Sequence, residues 1–171
     1  GVRRGTAPPP GPFAIVYLDF HDDGRAAGFA DALVPYLANL RSLEHVRMAG
    51  GVIPVSASNL RALANGKCAD RLESLQTGCP LTDEALDELK RFPRLHTVRF
   101  RAGSADDAVL ERLAELRALK CLELGPFDRP RATRKGWAAV AALKLGYVWI
   151  DRADTDTAMI FEELTRSGGP K

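Results

Sequence analysis

The sequence predicts an α/β solenoid of about six similar coils. Three observations lead there. Apolar residues recur with a spacing of three, three and two, as in "LRALKCLEL", where Leu116, Leu119, Leu122 and Leu124 mark the pattern. A helix face counts in threes and fours and a half-buried strand counts in twos, so this stretch is neither alone. The spacing returns along the chain with first anchors at 12, 40, 69, 92, 116 and 142, giving offsets of 28, 29, 23, 24 and 26 residues. Such a period marks units that stack on one another. After each unit comes a segment with apolar residues at helical spacing.

The units read in order as follows. "PFAIVYLDF" places Pro12, Ile15, Leu18 and Phe20 on the pattern. It leads into "GRAAGFADALVPYL", where Phe29, Leu33 and Leu37 form a stripe and Pro35 bends or ends the helix. "LRSLEHVRM" supplies Leu40, Leu43, Val46 and Met48, and "SASNLRALA" follows with Leu60 and Leu63. "ADRLESLQT" is the weakest unit, since Ala69 and Thr77 are poor core residues and Pro54 and "NGKCAD" interrupt the pattern around it. In "LTDEALDEL" Thr82 or Asp83 suits a helix cap and Leu86 and Leu89 share a face. "FPRLHTVRF" then gives Phe92, Leu95, Val98 and Phe100, followed by "SADDAVLERL" with Leu110 and Leu113. After "LRALKCLEL", "TRKGWAAVAAL" offers Trp137 and Val140. "ALKLGYVWI" gives Ala142, Leu145, Val148 and Ile150, and "TDTAMIFEEL" closes the series with Ile160 and Leu164.

The pattern L-x-x-L-x-L with a variable helical segment resembles the leucine-rich-repeat family. "LTDEALDEL" is similar to the "I-T-D-x-G-L-x-x-L" style of its bacterial and F-box-type members. The resemblance covers residues 13–164. It implies a solenoid with a parallel β-sheet on the concave face and helices on the convex face. In that fold the final L-x-L pair is a short strand, and the earlier leucines are the helix end and the descending turn. The family's turn asparagine is replaced here by Asp23, Gly51, Pro80, Gly103, Phe127 and Ala153, of which only Asp23 has similar chemistry. The expected organisation is a linker or truncated N-terminus over 1–12, one repeat domain over 13–166 and a tail over 167–171. Prolines before the first strand suit an edge guard, which leaves the last strand, 147–150, as a possible pairing edge.

Bulk composition narrows the function classes. The 171 residues are 46% hydrophobic and 27% charged, with 24 basic and 22 acidic side chains. That balance argues against nucleic acid and membrane partners. No apolar run is long enough to span a bilayer, and residues 1–12 carry no secretory pattern. The three cysteines, Cys68, Cys79 and Cys121, form neither a disulfide framework nor a zinc motif. Cys68 and Cys79 can pair, but reduced thiols in a cytoplasmic protein are the preferred expectation.

Candidate functional residues follow from the implied strand alignment. If residues 18, 46, 75, 98, 122 and 148 face the core, the next residue of each faces out: Asp19, Arg47, Gln76, Arg99, Glu123 and Trp149. Flanking columns are Tyr17, His45, Ser74, Thr97, Cys121 and Tyr147, and His21, Ala49, Gly78, Arg101, Gly125 and Asp151. Tyr, Trp and Arg are enriched at binding hot spots. The expectation is therefore a non-catalytic scaffold, adaptor or inhibitor. It holds a protein partner on Arg47, Arg99, Arg101, Glu123, Tyr147 and Trp149, and uses no cofactor. The plainer reading is a solvated sheet face, with Trp149 packed under the tail or against a neighbouring chain.

Three other readings remain. "DFHDDG" offers Asp19, His21 and Asp22, with His45 expected nearby, as a metal-dependent or hydrolytic cluster. Acidic residues at that place also suit a helix N-terminus. A structural reading makes the chain a fragment of a longer array whose function lies elsewhere, and the expected state is a monomer or a weak homodimer through the last strand. The basic run Arg129, Arg131, Arg134 and Lys135 could meet an acidic partner or phosphate, but reads more simply as a solvated loop. Cys121 has Thr97 and Tyr147 as expected neighbours and no base to activate it.

Overall fold

The computed structural model describes residues 14–21, 34–49, 56–77, 83–101, 106–125, 132–143, 145–150 and 155–166. Six strands alternate with helices. They are β1 (Tyr17–His21), β2 (His45–Ala49), β3 (Ser74–Thr77), β4 (Thr97–Arg101), β5 (Cys121–Gly125) and β6 (Tyr147–Ile150). The helices are α1 (Ala57–Ala64), α2 (Asp83–Leu89), α3 (Asp107–Leu113), α4 (Arg134–Ala142) and α5 (Thr155–Arg166). A further helical stretch at 34–37 contains Pro35 and gives way to a turn at 38–39.

The strands form one parallel sheet in chain order, β1 to β6. Each connection climbs one strand, which is a solenoid-like arrangement. The register is the expected one. Leu18, Val46, Leu75, Val98, Leu122 and Val148 stand in one row, and Asp19, Arg47, Gln76, Arg99, Glu123 and Trp149 in the next.

The count of three has a direct backbone cause. Between the first two anchors the chain makes a single tight turn, with Leu43 N–H donating to Leu40 C=O at 3.3 Å. Leu95 donates likewise to Phe92 at 3.2 Å and Leu119 to Leu116 at 2.9 Å. The weak third unit closes differently: Arg71 and Leu72 both donate to Cys68 C=O, at 2.9 and 3.0 Å. Cys68 thereby becomes a fully buried core residue, and Ala69 and Thr77 are buried beside it. The interrupting Gly66 lies against Ala38, where a Cβ would come within 2.6 Å of the Ala38 Cβ.

Strand and helix residues share one core. Val46, Leu75, Val98 and Leu122 from the sheet cluster with Leu60, Leu63, Leu86, Leu89, Leu110, Leu113, Trp137 and Val140 from the helices. Burying each such side chain contributes about 1.5–3 kcal/mol. At the ends Leu18 and Ile150 are only partly covered. The helices touch in sequence, α1 to α5, and polar pairs join them one coil apart. Arg61 reaches Glu88 at 2.8 Å, Arg112 reaches Asp87 at 3.0 Å, and Lys135 reaches Glu111 at 2.7 Å. The two described members of the expected basic loop are thus paired, since Arg134 holds Glu163 at 2.7 and 2.8 Å. The expected turn positions 23, 51, 80, 103, 127 and 153, the cap candidate Thr82, and Cys79, Arg129 and Arg131 lie outside the described residues.

Candidate functional site

Alternation along each strand sends one set of side chains into the core with the described helices and leaves the other set on the opposite face. Large exposed aromatics stand at both ends of that face: Tyr17 at one, Tyr147 and Trp149 at the other. Trp149 is 38% exposed and Tyr147 52%, so neither is packed away. The Arg99 Cζ lies 5.5 Å from the centroid of the Trp149 ring, within cation–π range. The same guanidinium is 3.2 Å from the Glu123 carboxylate on the intervening strand. Arg47 pairs with Asp19 across β1 and β2 at 3.4 Å. Of the six expected contact residues, Arg99, Glu123, Tyr147 and Trp149 therefore occupy neighbouring positions on one face, and Arg47 stands on the same face two strands away, beyond Gln76. Arg101 ends β4 opposite Gly125, with its side chain outside the described residues.

The expected Asp19, His21, Asp22 and His45 cluster needs correction. His45 is paired with Tyr17, whereas His21 is paired with Ala49. The two histidines thus sit at opposite ends of the β1–β2 ladder, four residues apart. At strand rise that is about 13 Å along the sheet, so the register does not bring the two residues together. Asp22 lies outside the described residues. His45 instead packs its ring against Tyr17, with centroids 6.1 Å apart at 46°.

A further column, polar in its four middle members, stands at the strand entrances, where the three-three-two spacing gives no signal. It consists of the residue just after the second anchor of each unit: Val16, Glu44, Glu73, His96, Lys120 and Gly146. Their carbonyls form a regular ladder. Val16 C=O accepts from Glu44 and His45, Glu44 C=O from Glu73 and Ser74, and Glu73 C=O from His96 and Thr97. His96 C=O accepts from Lys120 and Cys121, and Lys120 C=O from Gly146 and Tyr147. Glu44, His45 and Glu73 are half-buried, and their donor atoms all lie within 4.8 Å of one another. Arg94 donates to one Glu73 oxygen, and His96 Nε2 lies 3.5 Å from the other. The His96 Nδ1 is 3.1 Å from the Thr97 hydroxyl. The signal was present as "LEHV", "LESL" and "LHTV", aligned unit by unit.

Elsewhere a shallow concavity of about 400 Å³ is lined by Arg41, Ser42, Lys67 and Arg71. Neither described free thiol has the character of a nucleophile. Burial pushes the Cys68 thiol up, and burial with the Glu123 charge pushes up Cys121, against a hydrogen bond from Thr97. Among the described residues no helix is long and apolar enough to cross a membrane. The chain matches no protein-family model, and no curated protein is significantly similar to it.

Proposed function

We propose that this chain is a leucine-rich-repeat module that recognises a protein partner without catalysing a reaction. Its partner seats on the sheet face opposite the described helices, the concave side of such an arc. The observation that supports this most is the group formed by Arg99, Glu123, Tyr147 and Trp149. Two large aromatics stand in solvent there, one steadied by a guanidinium that is itself fixed by a carboxylate. Rigid aromatic and arginine side chains give contact area at low entropic cost and dominate interface energetics. Among the described residues Arg47 pairs with Asp19 and Arg99 with Glu123 on this face, which favours neither nucleic acid nor a highly charged protein. The partner that suits it presents an apolar anchor to Tyr147 and Trp149 within a charge-balanced surface.

The test uses wild type and an Arg99→Glu/Trp149→Ala double variant, matched for folding by circular dichroism, as baits in source-cell lysate. Losing a hot-spot anchor costs about 2 kcal/mol or more, which is about thirtyfold in Kd. A partner captured by wild type should be lost from the variant, and its purified form should bind the variant correspondingly more weakly. A partner retained equally by both removes the binding site from this face.

A further inference from the structure

We propose that Glu44, His45 and Glu73 form a binding site for a borderline divalent first-row cation, of which Zn²⁺ fits the donor set best. The site sits at the entrance of β2 and β3, away from the Arg99–Trp149 group, and does not depend on the proposed recognition function.

One imidazole and two carboxylates converge there, with donor atoms no more than 4.8 Å apart. Around a tetrahedral zinc with bonds near 2.1 Å, donors stand about 3.4 Å apart. The difference to be closed is about 1.4 Å, between side chains on a backbone that the strand ladder already holds. Glu44 C=O accepts from both Glu73 N–H at 2.7 Å and Ser74 N–H at 3.0 Å. That bond pair holds the two glutamates in adjoining coils at one strand spacing.

The charge arrangement also calls for a cation. Like charges on adjacent strands destabilise a sheet. Glu73 is compensated by Arg94 and faces His96. Glu44 has no cationic partner among the described residues, although its carboxylate lies beside that of Glu73. A divalent ion between the two carboxylates removes the repulsion. Arg94 takes one Glu73 oxygen, and the other, 3.5 Å from His96 Nε2, keeps a lone pair to bind the ion as a single donor. His96 acts on the site through Glu73 and is a positioning residue. The Tyr17 ring against His45 restricts the imidazole. The imidazole selects zinc-like ions over magnesium and calcium, which prefer oxygen alone. Three protein donors leave a fourth position for water.

The full chain, stripped of metal, would be titrated with Zn²⁺ by calorimetry and with Co²⁺ by visible absorption. The expected result is one ion per chain, bound micromolar or tighter, with no competition from millimolar Mg²⁺. His45→Ala and Glu44→Gln should each weaken binding by about tenfold or more. Glu44→Gln conserves shape and breaks no described side-chain bond, so it decides the matter if His45→Ala fails to fold. His96→Ala should weaken Zn²⁺ and alter the Co²⁺ band shape while keeping one ion per chain. Absence of binding overturns the site. So does unchanged affinity in Glu44→Gln, or a Co²⁺ spectrum with a thiolate charge-transfer band, which would place the ion on cysteine.

Discussion

At the scale of single residues, the joint between α3 and α4 shows how little room the stacking leaves. Asp107, the first residue of α3, accepts from the Thr133 N–H and the Thr133 hydroxyl, each at 2.6 Å, one coil further on. Thr133 in turn caps α4 by accepting from Lys135 N–H at 3.2 Å. Gly136 makes this approach possible. A Cβ there would stand 2.5 Å from Asp107 Oδ1 and 2.9 Å from its Cα. Alanine is worth about 1 kcal/mol over glycine in a helix interior, so propensity alone favours Gly136→Ala. The clash is with backbone-anchored atoms and reverses the sign. Gly136→Ala should destabilise by about 1–3 kcal/mol, read as a lower urea midpoint at unchanged m-value. A stabilised variant would show that α3 and α4 slide apart without cost.

At the scale of elements, the strands were legible and the site between them only in part. The three-three-two spacing fixes which residues are buried, and burial fixes register, since a slip of one residue would turn every leucine outward. The outward columns followed directly. Glu44, Glu73 and His96 were missed because they stand between the anchor and the strand, where the spacing has no entry and periodicity says nothing. His45 was expected beside His21 because the strands adjoin, yet the aligned columns themselves set His45 against Tyr17 and His21 against Ala49, at opposite ends of the ladder. The third unit was underrated because its turn closes on Cys68, one residue before the expected anchor, which no leucine count reveals.

The helix layer adds a pH dependence. Hydrogen bonds hold four carboxyls below their usual range: Asp87 by Lys90, Glu88 by Arg91 and then Arg61, Asp107 by Thr133, and Glu163 by Arg134. A carboxyl lowered in the folded state contributes stability above its unfolded value, and that stability is lost as pH falls through the folded value. The melting temperature should therefore stay level from neutral pH to about 5 and fall steadily below about 4. Asp107→Asn should flatten part of that fall, because the side chain there no longer takes up a proton. Calorimetric scans of both chains across this range read the difference. Equal slopes would show that Asp107 contributes nothing linked to protons.

At the scale of the whole molecule, the described strands and helices each contact only the next of their kind, so stability is a sum of intrinsic and nearest-neighbour terms. The two ends differ from the middle. Val98 and Leu122 are fully buried between strands on both sides, whereas Leu18 and Ile150 at the ends are partly covered. The β6 strand is bonded on one side, through β5 and through the Gly146 and Tyr147 amides on Lys120 C=O. Local opening should therefore start at the ends. Native-state hydrogen exchange should be slowest in β3, β4 and β5 and faster in β1 and β6 by about tenfold or more. The gradient should not change with protein concentration. A uniform rate across all six strands would mean that the array opens only as one unit, so that the end coils are stabilised as firmly as the middle. Protection of β6 that rises with concentration would mean that its open edge pairs with a second copy. In that case Val148→Lys should return β6 to the rate of a free edge, because a charge on a strand edge opposes the pairing of another strand.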